Sequence, residues 1–235
     1  KRYSRNSRWI SLENCIDTNK NLIIEKYYEI GGEKPMENKE ILEIPLKDLG
    51  LDNSLPDPVM YQYYKNLKNR KIIINDQIGA DIVEMVMIPL LDMDNDGTGK
   101  PIEIILNTVG GSLFDGASLC NIIDELKCPT TITVMTYAYS MGSIILMAGY
   151  NNPNVTKRCY KFSTALLHAG SSYLEGNSTS VKDQFNFYQK FEDIIKEYTL
   201  SHSKITSEEY EKMERYEWYM TSDIMLEKGL VDVII

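Results

Sequence analysis

The chain has 235 residues, 43 % of them apolar, with a formal net charge of −9 and a pI near 4.9. That length supplies one core plus an extension, and the acidic balance offers no electrostatic footprint for nucleic acid or an anionic membrane. No apolar run approaches the roughly 20 residues of a membrane helix.

The 16 tyrosines argue against global disorder. The basic cluster Lys1–Arg8, KRYSRNSR, reads as a solvated tail. The opening residues are charged and polar, so no secretory signal is expected. Four cysteines, Cys15, Cys120, Cys128 and Cys159, form no C-x-x-C pair and have no clustered histidines. Structural zinc is therefore not expected, nor any other cofactor. Scattered thiols of this kind suit a reducing cytoplasm, or an organelle matrix if a targeting segment was removed ahead of Lys1.

Residues 1–58 mix short β-type runs with turn residues, among them Gly31-Gly32 and the pair Pro56 and Pro58. They read as an N-terminal extension, and 59–235 as the main domain. YQYYKNLKNR is a short helix candidate, and KIIIN (71–75) a continuous apolar strand. GADIVEMVMIPLLDMDN has helical spacing that Pro89 interrupts late. IEIILNT (102–108) is a second apolar strand. Leu119, Ile122, Ile123 and Leu126 then fall on one helical face.

TTITVMTYAY (130–139) is a β-branched and aromatic strand, and MGSIILMAG a largely apolar helix. KFSTALLHA is strand-like. The run from Ser180 to His202 predicts a long helix with two apolar stripes. Phe185, Tyr188, Phe191 and Ile195 form one stripe, and Phe187, Ile194 and Tyr198 the other. Thr206–Glu209 is a capping box. TSDIMLEKG is a short helix closed by Gly229, and LVDVII ends the chain as a strand. Strands that are apolar on both faces and alternate with helices predict an α/β fold with a largely parallel sheet.

Three pieces carry chemistry. LNTVGGSLFDG places a glycine pair between a strand and a helix. Its N–H groups can serve as oxyanion donors, or the pair can simply make a tight turn. The spacing is not that of a dinucleotide fingerprint. Ser140 stands before a buried helix, as a helix cap or as a nucleophile beside the Met141 N–H. It lacks the G-x-S-x-G elbow, which disfavours an α/β-hydrolase. His168 ends an apolar strand, as a structural histidine or as a base for Ser140. The other histidine, His202, reads as a helix C-terminal residue.

In order and at compatible spacing, these pieces resemble the Clp protease proteolytic subunit (ClpP) family of serine peptidases, from about Tyr61 to Ile235. LNTVGG looks like that family's N-S-P-G-G turn, AYSMG its A-S-M-G nucleophile turn, and LLHAG its histidine segment. TSDIMLEKGLVDVII is similar to its closing element. The resemblance implies ClpP/crotonase-like repeated β-β-α units, helices outside the sheet and a protruding handle helix. It implies Ser140 as nucleophile, His168 as base, and Gly111 and Met141 as oxyanion donors.

Glu217 stands at the position of the family's Asp, with Glu214 or Asp223 as substitutes. SSYLEGNSTS stands where the family has a Gly-rich handle strand. The resemblance also implies a homo-oligomeric heptameric ring, a stacked double ring, an AAA+ unfoldase partner, and peptide or unfolded-protein substrates. Two other readings remain beside the active peptidase. One is a non-catalytic ClpP-like subunit of a mixed complex. The other is a crotonase-type acyl-CoA enzyme, which shares the strand-turn-helix arrangement.

Overall fold

The structure, a computed structural model, describes residues 58–235 apart from Ser172 and Glu214. The expected extension, Cys15 and the substitute acid Glu214 lie outside the described residues. Val59–Ile235 form one compact unit. Its elements run α1 (Pro58–Lys68), β1 (Lys71–Ile74), a π-helical turn (Val83–Met87), α2 (Ile88–Asn95), β2 (Ile102–Thr108), α3 (Leu113–Asp124) and β3 (Thr130–Tyr139). Then come α4 (Met141–Met147), β4 (Val155–Cys159), β5 (Thr164–Leu167), α5 (Ser178–Ser201), α6 (Ser207–Met213), β6 (Trp218–Thr221), α7 (Ser222–Glu227) and β7 (Val233–Ile234).

The sheet order is β1-β2-β3-β4-β7, all parallel, with β5 beside β3 and β6 antiparallel to β5. This is the mixed α/β architecture with a mostly parallel sheet that the resemblance implies. The helical segment that Pro89 was expected to interrupt divides just ahead of it. Its first turn is π-helical, and α2 begins at Ile88 with the proline in its opening positions, where a missing N–H costs nothing. The expectation of strands apolar on both faces holds fully for one face and in part for the other, where Ile105 is buried but charged residues and an exposed isoleucine share the surface. Ile72, Ile74, Ile104, Leu106, Ile132 and Val134 are buried, while Ile73 is 42 % exposed. On its side Glu103 pairs with Lys71 at 2.7 Å and with Arg158 at 3.2 Å across three strands.

β3 determines where the site forms. Its first half, Thr130–Val134, pairs with β4, and its last residues, Tyr137–Tyr139, pair with β5. The register against β2 slips at the changeover, so Met135 and Thr136 form a bulge between the pairs Leu106↔Val134 and Thr108↔Ala138. Ser163 secures the fork, its hydroxyl lying 3.0 Å from Val134 O and 3.3 Å from Met135 O. One strand thus feeds two neighbours, and Ser140 lies immediately beyond its end.

The helices anchor this arrangement. All seven residues of α4 are buried, against α3 and strands β2, β3 and β5. Opposite in character is α5, 24 residues long with only Thr199 buried. Of its two expected stripes, Tyr188, Phe191, Ile195 and Tyr198 turn partly inward, while Phe185, Phe187 and Ile194 are more than half exposed. Among the described residues from Ser171 to Gly176 no strand forms, since this chain offers no neighbouring strand for them to pair with.

Toward the C-terminus the capping box forms as expected. Thr206 N donates to Glu209 Oε2 at 3.0 Å, and Glu209 N donates to Thr206 Oγ1 at 3.2 Å. The fully buried Lys157 lies 4.9 Å from the Tyr150 ring centroid, and burial pushes its ammonium pKa down to about 8. His202 closes α5 with Nδ1 3.0 Å from Tyr198 O.

Candidate active site

Ser140 occupies the N-cap position of α4, yet its hydroxyl makes no capping bond. Its backbone has φ 53° and ψ −123°, and among the described residues only Arg70 shares a positive φ without being glycine. Such a conformation costs a residue with a side chain about 1–3 kcal/mol, so the surroundings must enforce it. Several contacts do. Ser140 N donates to Leu166 O at 2.8 Å, and Ser143 N donates to Ser140 O at 2.9 Å. The buried Ser143 hydroxyl lies 2.7 Å from Ala138 O and 2.8 Å from Leu166 O, tying α4 to both β3 and β5.

Glycines let the backbones close around this turn. Gly110 has φ 91°, and a Cβ there would stand 2.5 Å from Tyr139 O and 2.7 Å from Ser140 Cβ. A Cβ on Gly142 would meet Thr108 Cγ2 at 2.6 Å, and one on Gly116 would meet Met141 Cγ at 2.3 Å. The strand turn, α3 and the serine turn are therefore in backbone-level contact.

Two N–H groups bear on the chemistry. Ile78 N donates to Gly110 O and Ser112 N donates to Ile78 O, each at 2.8 Å. This bracketing bridge turns the Gly111 amide away from Ile78, and Gly111 itself is exposed. Met141 N is the first amide of α4, a position with no intrahelical acceptor. Gly111, Ser140, Met141 and His168 all line one cavity of about 770 Å³. Its other walls include Gln77 and Phe114, with Tyr188, Gln189, Glu192 and Asp193 from α5.

His168 follows β5 directly and is half-buried. No hydrogen bond joins its ring to Ser140 among the described residues. Continuing the register Leu167↔Trp218 by one residue sets Glu217 opposite His168. Its carboxylate accepts a hydrogen bond from Tyr219 Oη at 3.0 Å instead. Glu217 lines a separate pocket of about 300 Å³ with Glu209, Lys212, Met213, Tyr216 and Trp218. The hydrogen bond to Glu217 also raises the Tyr219 phenol above its ordinary pKa. The structure thus brings four of the five candidate residues to one cavity and leaves the fifth one strand-pair away. Asp223, the other substitute acid, lies in the first turn of α7.

Tyr188 belongs to an expected apolar stripe, but Gln189, Glu192 and Asp193 escaped sequence reading, because their spacing is that of an ordinary solvated helix face. A different pattern points to a metal. Asp92, Asp94, Asp96, Gly97 and Glu103 have the spacing of a calcium-binding loop. Three of those four carboxylates are engaged elsewhere. Asp94 Oδ1 accepts from Lys127 N at 2.9 Å and Cys128 N at 2.8 Å, Asp96 pairs with Arg70, and Glu103 holds Lys71 and Arg158. No cluster of three His, Cys, Asp or Glu suited to a metal occurs among the described residues.

Comparison with known proteins agrees with the mixed α/β fold and its mostly parallel sheet. The ATP-dependent Clp protease proteolytic subunit of Deinococcus radiodurans is 24 % identical over 173 residues, covering 74 % of this chain and 83 % of that protein. The family model for Clp protease matches residues 57–235, three quarters of the sequence and the whole of the compact unit: the chain belongs to the Clp protease family.

Proposed function

We propose that the chain is a serine endopeptidase of the Clp type that cleaves peptide bonds through an acyl-enzyme on Ser140. The observation that carries this reading is Ser140 itself, held at φ 53° on the cavity wall with an uncapped hydroxyl. A cap would have spent that hydroxyl on the helix; here it is left for chemistry.

His168 takes the Ser140 proton as the oxygen attacks the peptide carbonyl. The Gly111 and Met141 N–H groups stabilise the oxyanion, and His168 returns the proton to the departing amine. Water, activated by the same imidazole, then hydrolyses the ester. Glu217 is the candidate to orient His168. It reaches that role by exchanging its Tyr219 partner for the imidazole, a change of side-chain rotamer across a strand pair already in register.

The working particle is a homo-oligomeric ring, stacked as a double ring and fed by an AAA+ unfoldase in the cytoplasm or an organelle matrix. The ring and the unfoldase are what membership of the family supports, and the compartment rests on the scattered thiols of the sequence. A fluorophosphonate probe that labels the full chain at Ser140, together with peptide hydrolysis lost in Ser140→Ala, is the expected result. No labelling, or undiminished hydrolysis in the variant, sinks the reading.

One observation favours a second reading, a structural subunit of a mixed complex without catalysis of its own. Glu217 is committed to Tyr219, and the Ser140–His168 hydrogen bond is not made. A Ser140 that stays unlabelled both in the homo-oligomer and beside a second, active Clp subunit would move the assignment there.

A further inference from the structure

Phe114 links the helix α5 to the segment that carries the oxyanion turn. Phe114 lies three residues beyond Gly111, in the first turn of α3. Its ring centroid lies 4.7 Å from that of Phe191, 5.7 Å from Tyr188 and 5.8 Å from Phe187, all three on α5. Such tilted and stacked pairs each add about 0.5–1.5 kcal/mol beyond the area they bury.

Beyond this stack, α5 is held by Ile195 against the core, by Lys196 beside the Tyr210 ring and by Gln184 Nε2 donating to Glu175 O. Further attachments lie near its C-terminus, where Thr199 is buried and Tyr198 Oη donates to Asp124 Oδ2 at 2.8 Å. The Gly110–Gly111 turn is fixed on its other side by the two Ile78 hydrogen bonds. Two residues beyond Phe114 in α3, Gly116 is pressed against the Met141 side chain. The first turn of α3 is thus gripped between α5 and the serine turn, and it carries an oxyanion donor at its leading end.

We propose that the Phe114 stack on Phe187, Tyr188 and Phe191 is a positioning device that sets the oxyanion donor Gly111 from the position of α5. The inference rests on the serine-peptidase reading above. Displacing α5 moves Phe114, and with it the loop whose N–H must meet the developing charge. Oxyanion donors act only within a narrow distance range, and a misplacement of about 1 Å can cost on the order of 10²-fold in rate. Substrate binding along the cavity does not require that N–H, so the effect falls on kcat.

Phe191 is the residue to change, because it holds the ring of Phe114 without lining the cavity. In the full chain, Phe191→Ala is expected to lower kcat about tenfold on a fluorogenic peptide, with KM within about twofold of the parent. Phe191→Leu, which keeps most of the bulk, restores at least half of the loss. Amide hydrogen exchange across Gly110–Phe114 rises in Phe191→Ala, although the substitution lies on another helix. Unchanged exchange across that segment, or a kcat equal to the parent's, overturns the proposal. If the parent neither hydrolyses peptides nor reacts with a fluorophosphonate, the serine-peptidase reading fails, while the exchange comparison still decides whether the stack holds the loop.

Discussion

The two halves of the candidate site are built to different tolerances. The nucleophile half is locked at backbone level. Gly110, Gly116 and Gly142 admit no Cβ, and Ser143 ties the serine turn to two strands. The histidine half is open. His168 runs into exposed Ala169, Gly170 and Ser171, and the acid across the strand pair is occupied by a tyrosine. The difference shows where the fold places its rigidity. The strained residue must be over-determined by its neighbours, whereas a base can be aligned by small side-chain movements.

Breaking the locked half should have the largest effects. Ser140→Ala is expected to reduce peptide hydrolysis by about 10⁴-fold or more without altering thermal stability, read by initial rates and a melting curve. Gly110→Ala comes next. Its Cβ would need φ 91° and would collide with Tyr139 O, costing about 3 kcal/mol, or roughly 6–12 °C in Tm by calorimetry. A melting temperature within 2–3 °C of the parent would show the turn to be looser than its contacts indicate.

The open half gives the smaller effects. Glu217→Gln is expected to lower kcat about 10–100-fold if its carboxylate reaches His168 during turnover, and an unchanged kcat removes Glu217 from the mechanism. Tyr219→Phe releases that carboxylate and is expected to raise kcat about twofold, in the direction opposite to Glu217→Gln. The smallest effect is spectroscopic. The Glu217 carboxylate favours the neutral phenol, so Tyr219 ionises above its ordinary pKa. Glu217→Gln should bring its titration, followed by NMR of labelled tyrosine, back down toward about 10.

The same division governs what could be read in advance. Gly111, Ser140 and Met141 were legible because a glycine pair or a serine at a strand-to-helix junction is encoded by neighbouring residues. The apolar strands β1, β2 and β3 and the helix α3 were legible for the same reason. Strand β6 was not, because Trp218–Thr221 is a short stretch defined by its pairing with β5 rather than by any pattern of its own. Placing Glu217 required that pairing, and its hydrogen bond to Tyr219 required the side chains. The spacing of Asp92–Glu103 matches a calcium-binding loop, yet tertiary partners claim Asp94, Asp96 and Glu103.

The fork in β3 has a consequence for how this site could change through insertion or deletion. Because β5 aligns on the last residues of β3, the gap between nucleophile and histidine is metered in peptide units along a shared ladder. One residue added to or removed from the turn at Tyr160–Ser163 would slip β5 by a single position. Side chains alternate along a strand, so that slip would turn His168 to the opposite face of the sheet. A two-residue change would keep the face and move the imidazole along the strand by roughly 6–7 Å. The turn before β5, remote from any reacting atom, is therefore where a change of length by one would silence the site while leaving the serine turn intact.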